Sequence, residues 1–420
     1  MGVVAAYVLA DWMIFGRNGQ WLGSRSYAII ARNLVAGLGY TSDGLHPTAQ
    51  RPPGYPCLLA GTMIVAGRHW LAATVLIQAG LAVGCLVLVF EVASLLWPKS
   101  PAAWLATGLL ALHGPFMIEM LSMRETAWFT FGLLCLAWLL LQPTMGYAHA
   151  VAIAVCVAML YLVRPTGLEV ALVTIPFAAC TPWNTGRLRT MTVMLLTVFA
   201  LVLPWQRFTW RNFGPPGFFP SSLVGYNLFK GTLTGPGSEY PLLDADTLDR
   251  GMQELVARIH PGDESAADAH LERIARDAIR RSPGATLRQM LVNAAAFVSP
   301  LPIPLGRGRR GGAGSAPVLV DFHLDWKAIL FAPLILYILV AGCRGVGCLL
   351  AAGGRARQFG LWTTVLFAVL LAVHSITFVK TRYRLPLDAL LSIAAGGWLG
   401  RRPPEWMRRL VALADGDPGS

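Results

Sequence analysis

Apolar runs close to bilayer-spanning length recur from one end of this chain to the other. Segments 2–16, 71–97, 102–121, 124–142, 146–163, 166–180, 189–206, 327–344, 359–378 and 384–400 each carry at most two charged residues. A helix of about 20 apolar residues crosses the hydrocarbon of a membrane. Only helices and closed barrels satisfy their backbone groups there. Of the 420 residues, 55% are hydrophobic and 13% charged, against about 25% charged in a soluble domain. The chain therefore reads as an all-α polytopic membrane protein with about 10–11 transmembrane helices. Segment 55–67 is apolar but roughly two-thirds of a crossing, and reads as re-entrant or interfacial. Segment 2–16 is short, is interrupted by Asp11 and lacks a basic stretch before it. It reads as a tilted first span, or one that begins upstream, rather than as a signal peptide.

Basic residues orient the spans. With a cytoplasmic N-terminus and no crossing at 55–67, Lys99, Arg187, Arg189, Arg344, Arg355, Arg357 and the tail arginines 401, 402, 408 and 409 all fall inside, as the positive-inside rule requires. The net charge of +12 is then topological and does not point to nucleic acid. The expected organisation is a transmembrane module at 1–206 with a first outer loop at 17–54, an extracytoplasmic loop at 207–326, transmembrane helices at 327–400 and a cytoplasmic tail at 401–420. Within the large loop, 246–281 reads as an amphipathic helix or pair with Leu255, Ile259, Leu271, Ile274 and Ile279 on the apolar side. Residues 305–316 read as a linker; its arginines lie outside, as loops longer than about 60 residues permit. No internal repeat of the transporter kind is visible. The seven cysteines show no metal or disulfide spacing and read as packing residues.

This topology gathers the unusual polar residues on the outer face. Arg51 precedes two prolines in Arg-Pro-Pro-Gly-Tyr-Pro, after a short predicted outer helix from Tyr27 to Leu34. The prolines fix the backbone and hold the guanidinium near headgroup level, where it can grip a phosphate with paired hydrogen bonds. A snorkelling anchor is the plain alternative. Glu125 places an acid at the outer end of a span, a functional hypothesis by default; a local ion pair with Arg124 or another arginine is the alternative. Arg164-Pro165-Thr166 repeats the theme of an arginine at a helix break. Trp210-Arg211-Asn212 and Gly225-Tyr226-Asn227 open the large loop. Lys380-Thr381-Arg382-Tyr383-Arg384 puts three cations at the outer start of a span, against the charge bias, and an anionic partner accounts for them better than topology does.

Taken in order, these pieces resemble the bacterial branch of the GT-C glycosyltransferases, the superfamily of protein O-mannosyltransferases and of the lipid A aminoarabinose transferase. The resemblance rests on the Tyr27 helix with Gly37-Leu38-Gly39-Tyr40, the run from Pro47 to Pro56, Glu125, Arg164-Pro165-Thr166, the Pro204-Trp205 to Leu228 series and Arg382-Tyr383-Arg384-Leu385-Pro386-Leu387. It implies a polyprenyl-phosphate sugar donor, a glycan, lipid or protein acceptor, and inverting single displacement at the outer face of the bacterial cytoplasmic membrane. It matches Arg51 to a basic residue near the donor phosphate and Glu125 to a cavity acid. Arg382 and Arg384, with Lys380, become a second phosphate clamp, and Tyr27, Tyr55, Arg164, Asn212, Asn227 and Tyr383 further cavity residues. No cofactor is required by a visible ligand set; a divalent cation, Mg or Mn, stays open. The family's usual acid four residues before Tyr27 is replaced by Gly23, and 17–27 holds no carboxylate. The base is expected at Asp43 with Glu125 as partner; Asp11 is the remaining candidate. A transporter or flippase of a lipid-linked sugar, and a degenerate GT-C-like lipid-binding protein, are the competing expectations.

Overall fold

The computed structural model describes residues 25–142, 146–180, 186–214, 221, 223–233, 263–301, 326–377, 379 and 381–401. Segment 2–16, residues 246–262, the 305–316 linker and the tail beyond Arg401 lie outside them. Among the described residues there is no strand, only an isolated Thr41–Pro47 bridge. The helices in chain order are α1 Arg25–Val35, α2 Gly54–Ala66, α3 Trp70–Leu96, α4 Ala102–Leu112, α5 Gly114–Leu121, α6 Thr126–Leu140, α7 Tyr147–Val163, α8 Gly167–Ala179, α9 Arg187–Phe213, α10 Val224–Leu233, α11 Glu264–Arg281, α12 Pro283–Val298, α13 Trp326–Ala351, α14 Gly354–Ile376 and α15 Leu385–Leu399. Every predicted span from 71–97 onward is found as helix.

The stretches Gly54–Leu96, Arg187–Phe213, Leu330–Ala351 and Gly354–Ile376 are each long and apolar enough to cross a membrane, and the bent pair α4–α5 makes a fifth. Four shorter apolar helices, α6, α7, α8 and α15, accompany them. Leu76, Trp104, Leu172, Leu196 and Leu330 are exposed, as suits a bundle bathed in hydrocarbon rather than water. The protein is a multi-pass membrane protein.

Two predicted segments are not straight spans. Segment 55–67 forms α2, which is joined to α3 by the 3₁₀ turn Gly67–His69. Gln78 Nε2 of α3 lies 3.4 Å from the Tyr55 hydroxyl of α2, whereas 23 residues of one straight helix would separate them by about 35 Å. The chain therefore reverses at Gly67, φ 50° and ψ −125°, and α2 folds back beside α3. Segment 102–121 is not one straight span: α4 and α5 meet at 67°. Pro115 has no amide to continue the helical ladder, so α4 stops at Leu112, and His113 Nδ1 caps α5 by accepting from the Phe116 amide at 3.1 Å.

α15 is the core. Every residue from Leu385 to Gly397 is buried, as expected of a helix that is apolar on all sides. It packs against α3, α4, α6 and α13. Gly345 of α13 sits on the Ala394 backbone so closely that no Cβ would fit, the small-residue contact that lets membrane helices approach. In the large loop, α11 supplies the predicted amphipathic helix, with Leu271 buried. α12, which the periodicity did not single out, packs on α14 and fastens the loop to the bundle.

Candidate functional site

Two arginine-proline breaks meet because of one glycine. A Cβ on Gly54 would lie 2.8 Å from the Leu162 carbonyl oxygen and 2.9 Å from Val163 Cγ2. The start of α2 therefore lies against the end of α7, and Arg51 and Arg164 are brought to the same end of the bundle. Pro165 pushes Arg164 into extended backbone, φ −149° and ψ 141°. The Gly167 amide then donates to the Arg164 carbonyl at 2.9 Å, closing the turn into α8. The other side is supported by Tyr40, whose hydroxyl donates to the carbonyls of Arg51 at 2.9 Å and Pro52 at 3.1 Å.

Glu125, 3% exposed, stands at the start of α6. Its Oε1 lies 3.9 Å from Arg164 Nε, and it acts electrostatically on Tyr27. Tyr27 packs edge-on against Tyr55 at 5.1 Å. The Arg51 guanidinium lies 5.1 Å from the Tyr27 ring, and its Nε donates to Ser26 Oγ at 3.3 Å. Arg164 sits between Phe129, at 5.2 Å, and Tyr383, at 4.6 Å. Arg382, 5.4 Å from the Tyr383 ring, acts electrostatically on Glu125, Glu119 and Tyr27. Arg124 is not the partner of Glu125: it pairs with Glu119 at 3.0 Å, and Glu119 also accepts from the Thr126 hydroxyl. Gln78 of α3 secures this break, donating to the carbonyls of Ser122 at 2.5 Å and Arg124 at 3.1 Å.

Three guanidinium groups thus surround one carboxylate. The excess is positive; Arg164 and Glu125 are buried, and Arg51 and Arg382 are partly buried. Arg164 Nη2, Arg382 Nε and Glu125 Oε2 are buried without a hydrogen-bond partner. Orphaned buried polar groups are costly, and two of these three are donors. An anion with several acceptor oxygens satisfies both the charge and the donors. Among the described residues no group of three or more His, Cys, Asp or Glu is placed to hold a metal ion.

Tyr27, Arg51, Tyr55, Glu125, Arg164, Arg382 and Tyr383 of the sequence expectation come together. Of the other described candidates, Asp43, Arg384, Asn212 and Asn227 make different contacts. Asp43 is half-exposed and bonded within its own loop: it accepts from the amides of His46 and Leu45, from the Thr41 hydroxyl and from His46 Nδ1, all at 2.8 Å. The His46 amide and ring, above all, hold its carboxyl well below the usual carboxylate range, which makes it a weak proton acceptor. Arg384 is fully buried in an ion pair with Asp388, Nε to Oδ1 at 3.0 Å. Its Nη1 donates to the carbonyls of Phe297 at 2.9 Å and Ser299 at 2.6 Å. Asn212 donates to Phe208 on its own helix. Asn227 lies on α10, beside α11, α12 and α14. Lys380 and Asp11 lie outside the described residues.

Sequence reasoning missed a strut beside Arg51. Glu264 of α11 accepts from the Thr48 hydroxyl at 2.8 Å and the Ala49 amide at 3.1 Å. Asp268, one turn on, accepts from the Gly225 and Tyr226 amides at 2.9 and 2.8 Å. Burial pushes Glu264 up to about 7 and Asp268 to about 6. Both carboxyls hold protons in the folded protein that the unfolded chain releases at lower pH, so stability falls as pH rises from the ordinary carboxylate range through these values. The thermal midpoint in detergent is expected to drop between about pH 5 and about pH 8, with a smaller drop in Glu264→Gln. An unchanged slope in that variant removes Glu264 from the account. Gln78 was also missed, although a lone amide inside the otherwise apolar face of α3 was the available signal.

No protein-family model and no curated protein matches the sequence. Among solved structures, the chain is similar to the archaeal oligosaccharyltransferase AglB from Archaeoglobus fulgidus in complex with an inhibitory peptide and a dolichol-phosphate, at 13% identity and TM-score 0.50 over 99% of this chain. The same enzyme tethered to an acceptor peptide matches at 12% and 0.50. The chain spans about half the length of AglB, 54% in the first case and 53% in the second. ArnT from Cupriavidus metallidurans bound to undecaprenyl phosphate matches at 16% identity and TM-score 0.40, over 95% of this chain and 78% of that one. The likeness shows the fold: the chain is built on the helical fold seen in AglB, the GT-C-like fold expected from the sequence.

Proposed function

We propose that this protein transfers a sugar from a polyprenyl-phosphate donor to an acceptor at the extracytoplasmic face of a bacterial cytoplasmic membrane. The observation that carries the reading is the set of arginines 51, 164 and 382 around the single carboxylate of Glu125, with buried unpartnered donors on Arg164 and Arg382. The GT-C fold supports it, and so does the lipid phosphate named with AglB.

Arg51, Arg164 and Arg382 hold the donor phosphate. The acceptor hydroxyl oxygen attacks the anomeric carbon as its proton passes to Glu125. The bond from the anomeric carbon to the phosphate oxygen breaks, and polyprenyl phosphate leaves. The negative charge that grows on it meets guanidinium groups already in place. One displacement on one face inverts the anomeric centre. Tyr27, which lies within electrostatic reach of Glu125, flanks the base. The transferred group is a hexose or pentose and the acceptor a lipid, glycan or protein. Asp43 and Arg384 have no part in this scheme.

Arg51→Ala tests the phosphate assignment. In vesicles supplied with a polyprenyl-phosphate sugar on one side, it is expected to release polyprenyl phosphate at least about a hundredfold more slowly, as loss of a charge-assisted contact to the leaving group implies. Wild-type release with a wild-type thermal midpoint would remove Arg51 from the donor site. Release only when the donor is on the cytoplasmic side would reverse the sidedness.

A further inference from the structure

Arg164 is not held by its ion pair. At 3.9 Å from Glu125 that contact is long for a charge-assisted hydrogen bond. A column of rings holds it. Phe297, at the end of α12, stacks on His374 of α14 with centroids 5.4 Å apart and planes 20° apart. His374 stacks on Tyr383 at 4.7 Å and 11°. The Arg164 guanidinium lies 4.6 Å from the Tyr383 ring and 5.2 Å from Phe129 on α6. Five groups from five separate segments form one column that runs from the outer loop to the cluster. Planar guanidinium stacks well on aromatic faces, and the ring quadrupole attracts the cation.

Nothing in the proposed chemistry uses His374. It is buried, 5% exposed, in the last turn of a spanning helix, where an imidazole is rare unless it serves something. Phe297 is buried too, and its carbonyl is fixed by Arg384. The column is therefore rigid at one end and carries a working cation near the other.

We infer that His374 is a positioning residue: by stacking between Phe297 and Tyr383 it fixes the plane of Tyr383, and through it the guanidinium of Arg164 beside Glu125. This rests on the proposed phosphate site for its consequence but not for its geometry. The column transmits the position of α12 to the site, so the outer loop and the phosphate-binding cations move as one.

The test compares His374→Leu, which removes the stack, with His374→Phe, which keeps a flat ring. Undecaprenyl phosphate binding and sugar release are measured beside the thermal midpoint. His374→Leu is expected to lose about tenfold in phosphate affinity, the equivalent of one weakened cation contact, while His374→Phe stays within about threefold of wild type. A packing role alone would lower the midpoint and leave affinity unchanged, which overturns the inference. So would equal losses in Phe and Leu variants, which would assign the effect to the imidazole nitrogens. If wild-type protein binds no undecaprenyl phosphate, the proposed function has failed. The column is then judged on ligand-free protein by a cycle of His374→Leu and Arg164→Leu. Coupled shifts in thermal midpoint support it, and additive shifts overturn it.

Discussion

Glu125→Gln is expected to cut sugar transfer about a thousandfold, within the range by which a positioned general base contributes, while polyprenyl phosphate binds at least as tightly as before. The two halves of the result come from the same geometry. The amide keeps the shape of the carboxyl, but it cannot take a proton. It also removes the one negative charge set among Arg51, Arg164 and Arg382, so the site becomes more attractive to an anion. A variant that lost both binding and turnover would show Glu125 to be the partner that keeps the arginines in place. One that kept both would move the base elsewhere. Glu169, in the first turn of α8 with a buried unpartnered Oε2 and within electrostatic reach of Arg164, is then the next carboxylate to replace. Asp43→Asn, measured in the same assay, is expected to turn over normally, because its loop satisfies the Asp43 carboxylate completely.

The membrane class and nearly all span positions were legible because they follow from local apolarity, which does not depend on tertiary contact. Arg51, Glu125 and Arg164 were legible for the opposite reason: a charge placed at a helix break in an apolar chain is conspicuous by its cost. What could not be read was pairing. Arg382 and Arg384 are two residues apart in one basic motif, and sequence offered no way to separate them. In the structure the 3₁₀ turn Thr381–Tyr383 sends Arg382 to the cluster, whereas Arg384, the N-cap of α15, meets an aspartate one turn further along its own helix. Asp388 carried that information, but an acid four residues after an arginine looks like an ordinary surface pair until α15 is known to be buried on every side. The bend at His113 was hidden likewise: Gly114-Pro115 marked a weak point, and only the buried Asp388, 3.3 Å from His113 Nε2, shows what the bend delivers.

Asp388→Ala is therefore expected to be among the most destabilising single substitutions in the chain, by about 3–5 kcal/mol, the cost of leaving a buried charge without its partner. The Arg384 side chain would remain fully buried with two carbonyls and no counter-charge, and His113 Nε2 would lose the oxygen it faces. Removing both charges together, in Arg384→Met with Asp388→Leu, is expected to recover most of that loss, since apolar side chains of similar volume often replace a buried pair without penalty. The double variant also decides the role of Arg384. If it is a strut between α12 and α15, the folded double variant binds polyprenyl phosphate as wild type does, whereas Arg382→Ala does not. Loss of binding in a double variant with a wild-type thermal midpoint would return Arg384 to the phosphate clamp. The geometry favours the strut: Arg384 already donates to the carbonyls of Phe297 and Ser299 and pairs with Asp388. To hold a phosphate it would have to abandon contacts that fix the end of α12, and with it the base of the column on which Arg164 rests.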